Sequence, residues 1–416
     1  MALVLLSGCG STAIRYQPSL TALGRRPAII FVPGFYGSAL DESDSGERVF
    51  LTAWAATFSQ TPLAVTRPDL GVVGARNLTA TGVLQSIPVI PGLYSQNVYG
   101  EALDFLQEKF AGLAEIVPFH YDWRQDIAET AGELGQLVKG LEARGAFPLL
   151  IVGHSMGGLV TAYYLRYGAQ DPLEAVDTGE GERHISAALI AGAPFGGAPG
   201  AFRNLQIGAS LGAATTPLGA ESLGTFASMY QLIPGPDGDT YLNAEGKNVG
   251  TKMFQPEIWQ KQKWGLFLPR GSVTPEFQAK REAFVTHQLR RGEKLMEKIR
   301  AEGVPALGKP SVLYFVGSGT PTLARVLWNQ PALEVPGQWL FDGEEVKKAF
   351  PEKNLPSLMG DGDDTVTVSS ARPPDGLLRR LPGKIVTAPA KHEAMFGNKE
   401  FLKIAEAFLT EHLRAR

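Results

Sequence analysis

The sequence predicts an α/β protein in which a mostly parallel central sheet, covered by helices on both faces, carries an inserted cap. Three observations lead there. From residue 99 to about 200, short apolar runs alternate with longer stretches of helical periodicity, the pattern of buried strands joined by crossover helices. One of these runs, Leu149-Leu150-Ile151-Val152, breaks directly into Gly153-His154-Ser155-Met156-Gly157. After Gly200, roughly a hundred residues intervene before the next clear strand, too many for a plain loop.

Taken in order, Ala28-Ile29-Ile30-Phe31-Val32 is the first unmistakable buried strand, and it runs into the turn Pro33-Gly34-Phe35-Tyr36-Gly37-Ser38. Residues 41–98 form an insertion with Trp54, Phe58, Val73, Ile90 and Tyr94 set among Pro and Gly. Exposed, those side chains would make a membrane-contacting or acyl-guiding patch; buried, they would be a satellite core. The periodicity predicts helices over 99–113 and 127–144, a strand over 116–119 between them, and a strand over 148–153. A helix over 157–167 follows, with Leu159, Val160, Tyr163 and Tyr164 on one face, then a strand over 187–192. The pattern dissolves over 201–308, where Met253, Phe254, Trp259, Trp264 and Phe267 precede a charged helical run over 275–302. This segment reads as a cap or lid over Ser155, mobile or rigidly fixed. The core resumes with Ser311-Val312-Leu313-Tyr314-Phe315-Val316-Gly317, a strand over 384–388 and an amphipathic helix over 399–413. The expected organisation is therefore a leader and tether over 1–26, core over 27–200, cap over 201–308 and core again over 309–416.

Gly153-x-Ser155-x-Gly157 between strand and helix reads as a nucleophile elbow. The two glycines remove side chains that would obstruct a sharp turn, and the turn lifts the serine hydroxyl clear of the sheet. A second match, Gly208-Ala209-Ser210-Leu211-Gly212, lacks the strand and helix, so Ser210 reads as a loop serine. A serine hydroxyl needs a base to take its proton, commonly a histidine oriented by a carboxylate. Of the six histidines, His154 adjoins the serine and is expected to point elsewhere, His120 precedes it, and His184, His287 and His412 lie in charged stretches. His392 remains, in the loop after the last strand. The carboxylate candidates are Asp361, Asp363 and Asp364 in Gly360-Asp361-Gly362-Asp363-Asp364-Thr365-Val366. A calcium loop is disfavoured there because the alternating oxygen ligands and closing glutamate are missing. Asp363 is taken as the orienting acid and its neighbours as turn formers. Backbone amides of Met156 and Phe35 are the expected oxyanion donors, with Gly34 turning the early loop inward.

Five blocks in order resemble the lecithin:cholesterol acyltransferase family of α/β hydrolases, which includes lysosomal phospholipase A2 and phospholipid:diacylglycerol acyltransferases. They are the Val32 to Ser38 turn, Tyr121-Asp122-Trp123-Arg124, the elbow, Gly192-Ala193-Pro194-Phe195-Gly196-Gly197, and the Gly360 to Val366 run, with His392 behind them. The resemblance implies an α/β-hydrolase fold, Ser155 as nucleophile, Asp363 as acid, His392 as base, and the Phe35 and Met156 amides as oxyanion donors. The residues of the Tyr121 block have a structural reading, in which Asp122 and Arg124 pair in fork geometry and Trp123 packs to brace loops near the site. The animal members carry disulfides that a chain with 1 cysteine lacks. Phe195 offers an apolar wall to the pocket.

That cysteine is Cys9, at the end of Leu3-Val4-Leu5-Leu6-Ser7-Gly8-Cys9, which looks like a bacterial lipobox without a charged leader; a short buried strand is the other reading. A lipid on Cys9, with Gly10 to Arg26 as a flexible tether, would hold the protein at the membrane of a bacterial cell envelope. At 416 residues and 44% hydrophobic content the chain can bury one large core plus a cap. A net charge of −3 leaves no footprint for nucleic acid and no strong attraction to anionic lipid. No stretch of about twenty apolar residues could span a bilayer. No metal or cofactor is implied, and the sequence names no protein partner. The expected activity is a serine esterase or lipase acting on lipid esters, as phospholipase or O-acyltransferase, through an acyl-serine. A non-catalytic lipid-binding surface lipoprotein on the same fold is the alternative from a different class, and an amide hydrolase is a third.

Overall fold

The computed structural model describes residues 12–14 and 26–414, except 51–62, 66–69, 71, 73–76, 91–93, 210–217, 268–273, 304–309, 331, 333–334 and 336. Cys9, Ser210, Trp54, Phe58 and Val73 therefore lie outside the described residues.

Six strands form the central sheet in the order Gly383–Pro389, Ser311–Ser318, Ala187–Ala191, Leu149–His154, Ala28–Val32, Glu115–Pro118. Every neighbouring pair is parallel. Three of the four inner runs, AIIFV, LLIVGH and AALIA, are buried along their whole length, and the fourth, Ser311–Ser318, at all but its two ends, as strands covered on both faces must be. Side chains alternate across the sheet. Ile30, Val32, Leu149 and Ile151 pack on one side with the helices Ile127–Ala143 and Met156–Tyr167 and the cap. Ile29, Phe31, Leu150 and Val152 pack on the other with Gly100–Phe110 and Lys399–Arg414. The sequence-based strands and helices agree with these bounds to within three residues at each end.

Residues 38–97 build a second, antiparallel sheet from Ser38–Glu42, Arg48–Phe50, Leu78–Ile90 and Tyr94–Asn97. Ile90 and Tyr94 sit opposite each other on paired strands, and Leu63, Leu70, Leu78 and Leu84 are buried. Thr12–Ile14 adds a further strand, paired antiparallel with Val83, Leu84 and Ser86. This corrects the expectation of a flexible tether at those three positions, because a ladder of backbone hydrogen bonds fixes them.

The cap contains the helices Pro199–Ile207, Ala220–Leu223, Ala227–Leu232, Pro256–Gln262 and Pro275–Arg300. Its boundary at 308 needs correction. Tyr241–Asn243 pairs in parallel with Val326–Trp328, which pairs with Trp339–Leu340. Phe202, Tyr241, Trp259, Trp264, Trp328 and Trp339 form one aromatic cluster of mostly edge-to-face contacts, so Val326–Trp328 and Trp339–Leu340 belong to the packed cap.

The long helix Pro275–Arg300 starts at Thr274, whose hydroxyl accepts from Phe277 N–H. Two buried arginines fasten it. Arg281 donates to the carbonyls of Leu70 and Leu266 and to Glu221. Arg291 pairs with Asp171 and, at 2.8 Å, with Asp126. Asp126 also caps Ile127–Ala143 through Ala128 N–H and accepts from Gln231 at 2.6 Å. Among the described residues no helix is long and apolar enough to cross a membrane.

Candidate active site

The strand Leu149–His154 and the helix Met156–Tyr167 are separated by Ser155 alone, at φ 57° and ψ −127°. A non-glycine residue in this region is strained, and such strain concentrates at functional sites. The flanking glycines are sterically required. A Cβ on Gly153 would lie 2.6 Å from Thr161 Oγ1, and one on Gly157 would lie 2.5 Å from the Pro33 carbonyl. Ser155 N–H donates to Ala191 O at 2.8 Å, tying the elbow to the neighbouring strand.

The early turn crosses directly against the serine. A Cβ on Gly34 would sit 2.7 Å from Ser155 Cβ and 3.1 Å from its Oγ. The turn closes through Gly37 N–H to Gly34 O at 3.0 Å, with Tyr36 at φ 63°. Gly34 N–H is taken by the Tyr99 hydroxyl at 2.8 Å. Met156 opens its helix, so its N–H has no carbonyl one turn back.

The Tyr121 to Arg124 block lies under this turn. Tyr121 Oη donates to Pro33 O at 2.6 Å, and Trp123 Nε1 donates to Ser38 O at 3.0 Å. Arg124 grips Asp122 through Nε at 2.8 Å and Nη2 at 2.7 Å, and also donates to Leu63 O. The Trp123 ring contacts Phe35, Tyr36 and Phe50 with centroids 4.8–4.9 Å apart. These residues hold the turn from below.

Asp363 and His392 meet on the other side. Met359–Gly362 pairs with Thr320–Leu323, and the chain turns at Asp364, φ 89°. That turn leaves Asp363 fully buried, with Oδ1 accepting from the amides of Thr365 at 3.0 Å and Val366 at 2.7 Å. Its Oδ2 lies 2.7 Å from His392 Nδ1, and the His392 amide donates to the Asp363 carbonyl, also at 2.7 Å. Asp361 turns away and accepts from Gly319 N–H. Gly192, at φ 60°, adjoins the imidazole: a Cβ there would be 3.3 Å from His392 Nδ1 and Cε1. Phe195, expected as a pocket wall, is buried against Tyr314.

Residues 55–263 match the lecithin:cholesterol acyltransferase family. The chain belongs to this family. The match covers half the chain and includes the elbow, whereas Gly34, Asp363 and His392 lie outside it. Membership places the protein among the serine hydrolases and acyltransferases that act on lipid esters. Solved structures are similar at low identity. A chain of the Tle4–Tli4 complex has 12% identity and a TM-score of 0.53, covering 94% of this chain and 99% of that one. The mature lipase BlEst2 of Bacillus licheniformis has 11% identity and a TM-score of 0.34, covering 95% and 96%. The butyrate-bound esterase 2 of Thermogutta terrifontis has 12% and 0.33, covering 96% and 90%. No curated protein matches the chain. The fold is that of the α/β hydrolases.

Within this family member, sequence reasoning overlooked His154 and Tyr99. His154, expected to point elsewhere than at the serine, is buried, its ring 4.7 Å from that of His392 and its Nδ1 2.9 Å from the Tyr99 hydroxyl. Burial, reinforced by His392 beside it, holds its pKa well below the usual histidine range, with a backbone contact from His392 acting in the opposite sense. Burial likewise pushes the Tyr99 phenol up. The available signal was position: a residue between Gly153 and Ser155 ends a strand buried on both faces, so its side chain must enter one of the two packed layers.

Proposed function

We propose that the protein is a serine esterase that hydrolyses lipid esters through an acyl-serine, with Ser155 as nucleophile, His392 as base and acid, and Asp363 as the group that orients His392. The observation that carries the reading is the 2.7 Å bond between buried Asp363 Oδ2 and His392 Nδ1, which leaves Nε2 as the free ring nitrogen. Nε2 removes the Oγ proton as Ser155 attacks the ester carbonyl carbon. The carbonyl electrons move onto oxygen, where the Phe35 and Met156 amides take the charge. His392 then gives its proton to the departing alcohol oxygen as the C–O bond breaks. Water, deprotonated by His392, attacks the acyl-serine and the sequence repeats, releasing the fatty acid and restoring Ser155. A lipid alcohol in place of water makes the same intermediate an acyl donor, so hydrolysis and transfer differ only in the second nucleophile.

A location at the membrane of a bacterial cell envelope, through lipid on Cys9, is part of the same proposal and is supported by the Leu3 to Cys9 run. A Cys9→Ser variant that still fractionates with membranes would remove it. The catalytic reading is tested by mass spectrometry of products from phosphatidylcholine vesicles containing a sterol and diacylglycerol, with wild type and Ser155→Ala side by side. Free fatty acid and lysophospholipid from wild type alone supports hydrolysis, and sterol ester or triacylglycerol moves the assignment to transfer. Equal traces from both proteins, on vesicles and on simple soluble esters, would overturn it.

A further inference from the structure

Tyr99 and His154 form a buried polar pair that the proposed reaction does not use, and both touch its parts. Tyr99 stands at the start of the helix Gly100–Phe110, with 5% of its surface exposed. Its oxygen accepts the Gly34 amide at 2.8 Å, and Gly34 is the residue pressed against Ser155. With that lone pair engaged, the hydroxyl hydrogen is free to point at His154 Nδ1, 2.9 Å away. Besides the Tyr99 hydroxyl, the His154 ring meets a backbone group of His392, and its Nε2 completes no well-formed hydrogen bond among the described residues. A buried ring held by one good hydrogen bond and one weak backbone contact is costly as packing alone.

We propose that Tyr99 is a positioning residue for the oxyanion turn: its hydroxyl fixes the Gly34 amide, His154 Nδ1 accepts the hydroxyl's hydrogen bond, and the Phe35 amide is thereby presented to the reacting carbonyl. The proposal rests on the catalytic reading above and adds two residues to it. Two donors follow one another in the turn, and only one can face the reaction. Tyr99 removes the Gly34 N–H from competition and fixes the Pro33–Gly34 peptide plane, while Gly37 N–H holds the Gly34 carbonyl of the next plane, so the two bonds together set where the Phe35 amide points. His154 serves a second purpose by remaining neutral. When His392 takes the serine proton it becomes a cation, and a charged His154 ring 4.7 Å away would oppose that step. The titratable groups facing the pair are His392, Glu393 and Tyr121.

The test uses the full chain and a soluble p-nitrophenyl ester. Tyr99→Phe leaves the ring in place and frees the Gly34 amide; kcat is expected to fall about 10- to 100-fold with KM unchanged, the cost of a misaimed donor. His154→Leu should lose a similar factor, and His154→Asn, which keeps an acceptor near Nδ1, should recover most of it. Because both residues act through one hydroxyl, the double variant Tyr99→Phe/His154→Leu should lose no more than the worse single one; additive losses would overturn the proposal. So would a Tyr99→Phe enzyme within about twofold of wild type. In wild type, ¹⁵N NMR should find His154 neutral at pH 7 with its proton on Nε2, and a proton on Nδ1 would reverse the hydroxyl and refute the scheme even where a variant fails to fold. An inert wild type would sink the catalytic reading itself, whereas an active wild type with an unimpaired Tyr99→Phe would sink only this inference.

Discussion

Replacing Asp363 by Asn separates orientation from mere contact, because the structure dictates which way the amide must lie. Oδ1 accepts two backbone N–H groups, from Thr365 at 3.0 Å and Val366 at 2.7 Å. An amide nitrogen placed there would face two donors, at a cost of about 1–3 kcal/mol for each unmade bond. The Asn oxygen therefore occupies that side, and its NH2 faces His392 Nδ1 across the 2.7 Å now bridged by Oδ2. Nδ1 must then act as acceptor, which moves the ring proton to Nε2, the nitrogen that has to receive the Ser155 proton. The imidazole stays in place in the wrong tautomer. The expected loss in kcat is about 10⁴-fold, or about 5.4 kcal/mol in the barrier, with the fold intact because both amide bonds survive. Asp361→Asn keeps the bond from Gly319 N–H, and Asp364→Asn suits a residue at φ 89°, so both should keep near wild-type rates. Steady-state hydrolysis of a p-nitrophenyl ester by the three variants decides the matter. An Asp363→Asn enzyme within about tenfold of wild type, or an equal loss in Asp361→Asn, would refute the argument.

Gly34→Ala brings a methyl to 2.7 Å from Ser155 Cβ, so activity should fall by about 100-fold or more while far-UV circular dichroism stays native; a fully active variant would show that the turn does not crowd the serine. Arg124→Ala strips the fork from Asp122 and leaves the Leu63 carbonyl without its donor. It should cost about 3–5 kcal/mol in denaturant unfolding, and Arg124→Lys should restore little because an ammonium cannot grip both oxygens. His154 contributes a pH dependence of stability. Its folded pKa lies below the ordinary 6.5, so beneath that pH the unfolded chain binds more protons, and stability, complete above 6.5, falls as pH drops toward the depressed folded value. The slope from this one group is at most about 1.4 kcal/mol per pH unit. Denaturant midpoints compared at about pH 5 and 7.5 should differ less in His154→Asn than in wild type, and identical profiles would contradict the buried neutral ring.

Legibility in the sequence followed the range over which each signal acts. Ala28–Val32 and Leu149–His154 could be read directly because a strand buried on both faces is an unbroken apolar run whatever it pairs with. Ser155 was legible because its two glycines answer a local steric demand. The choice among Asp361, Asp363 and Asp364 was not local: it depends on the register of Met359–Gly362 against Thr320–Leu323 and on the left-handed residue that follows Asp363. The antiparallel sheet over 38–97 escaped for a related reason, since Ser38–Glu42 pairs with Leu78–Ile90 across a long intervening segment and no short-range turn marks the partnership. Tyr99 was hidden as an ordinary residue at a helix start, and only the fold brings it to Gly34, 65 positions away.

Asp126 has a consequence for how the molecule comes apart. One carboxylate caps a core helix, accepts from Gln231 in the cap and pairs with Arg291 on the long cap helix. Detaching the cap would break the Gln231 and Arg291 bonds to this carboxylate together, each charge-assisted bond worth about 1.5–3 kcal/mol, in addition to the lost apolar contact. A layer bound on those terms has little reason to melt ahead of what it covers. Cap and core should behave as one foldon, with hydrogen exchange in Pro275–Arg300 as slow as in the elbow strand and a single heat-absorption peak, even though the chain reaches the cap by leaving the sheet and returning to it.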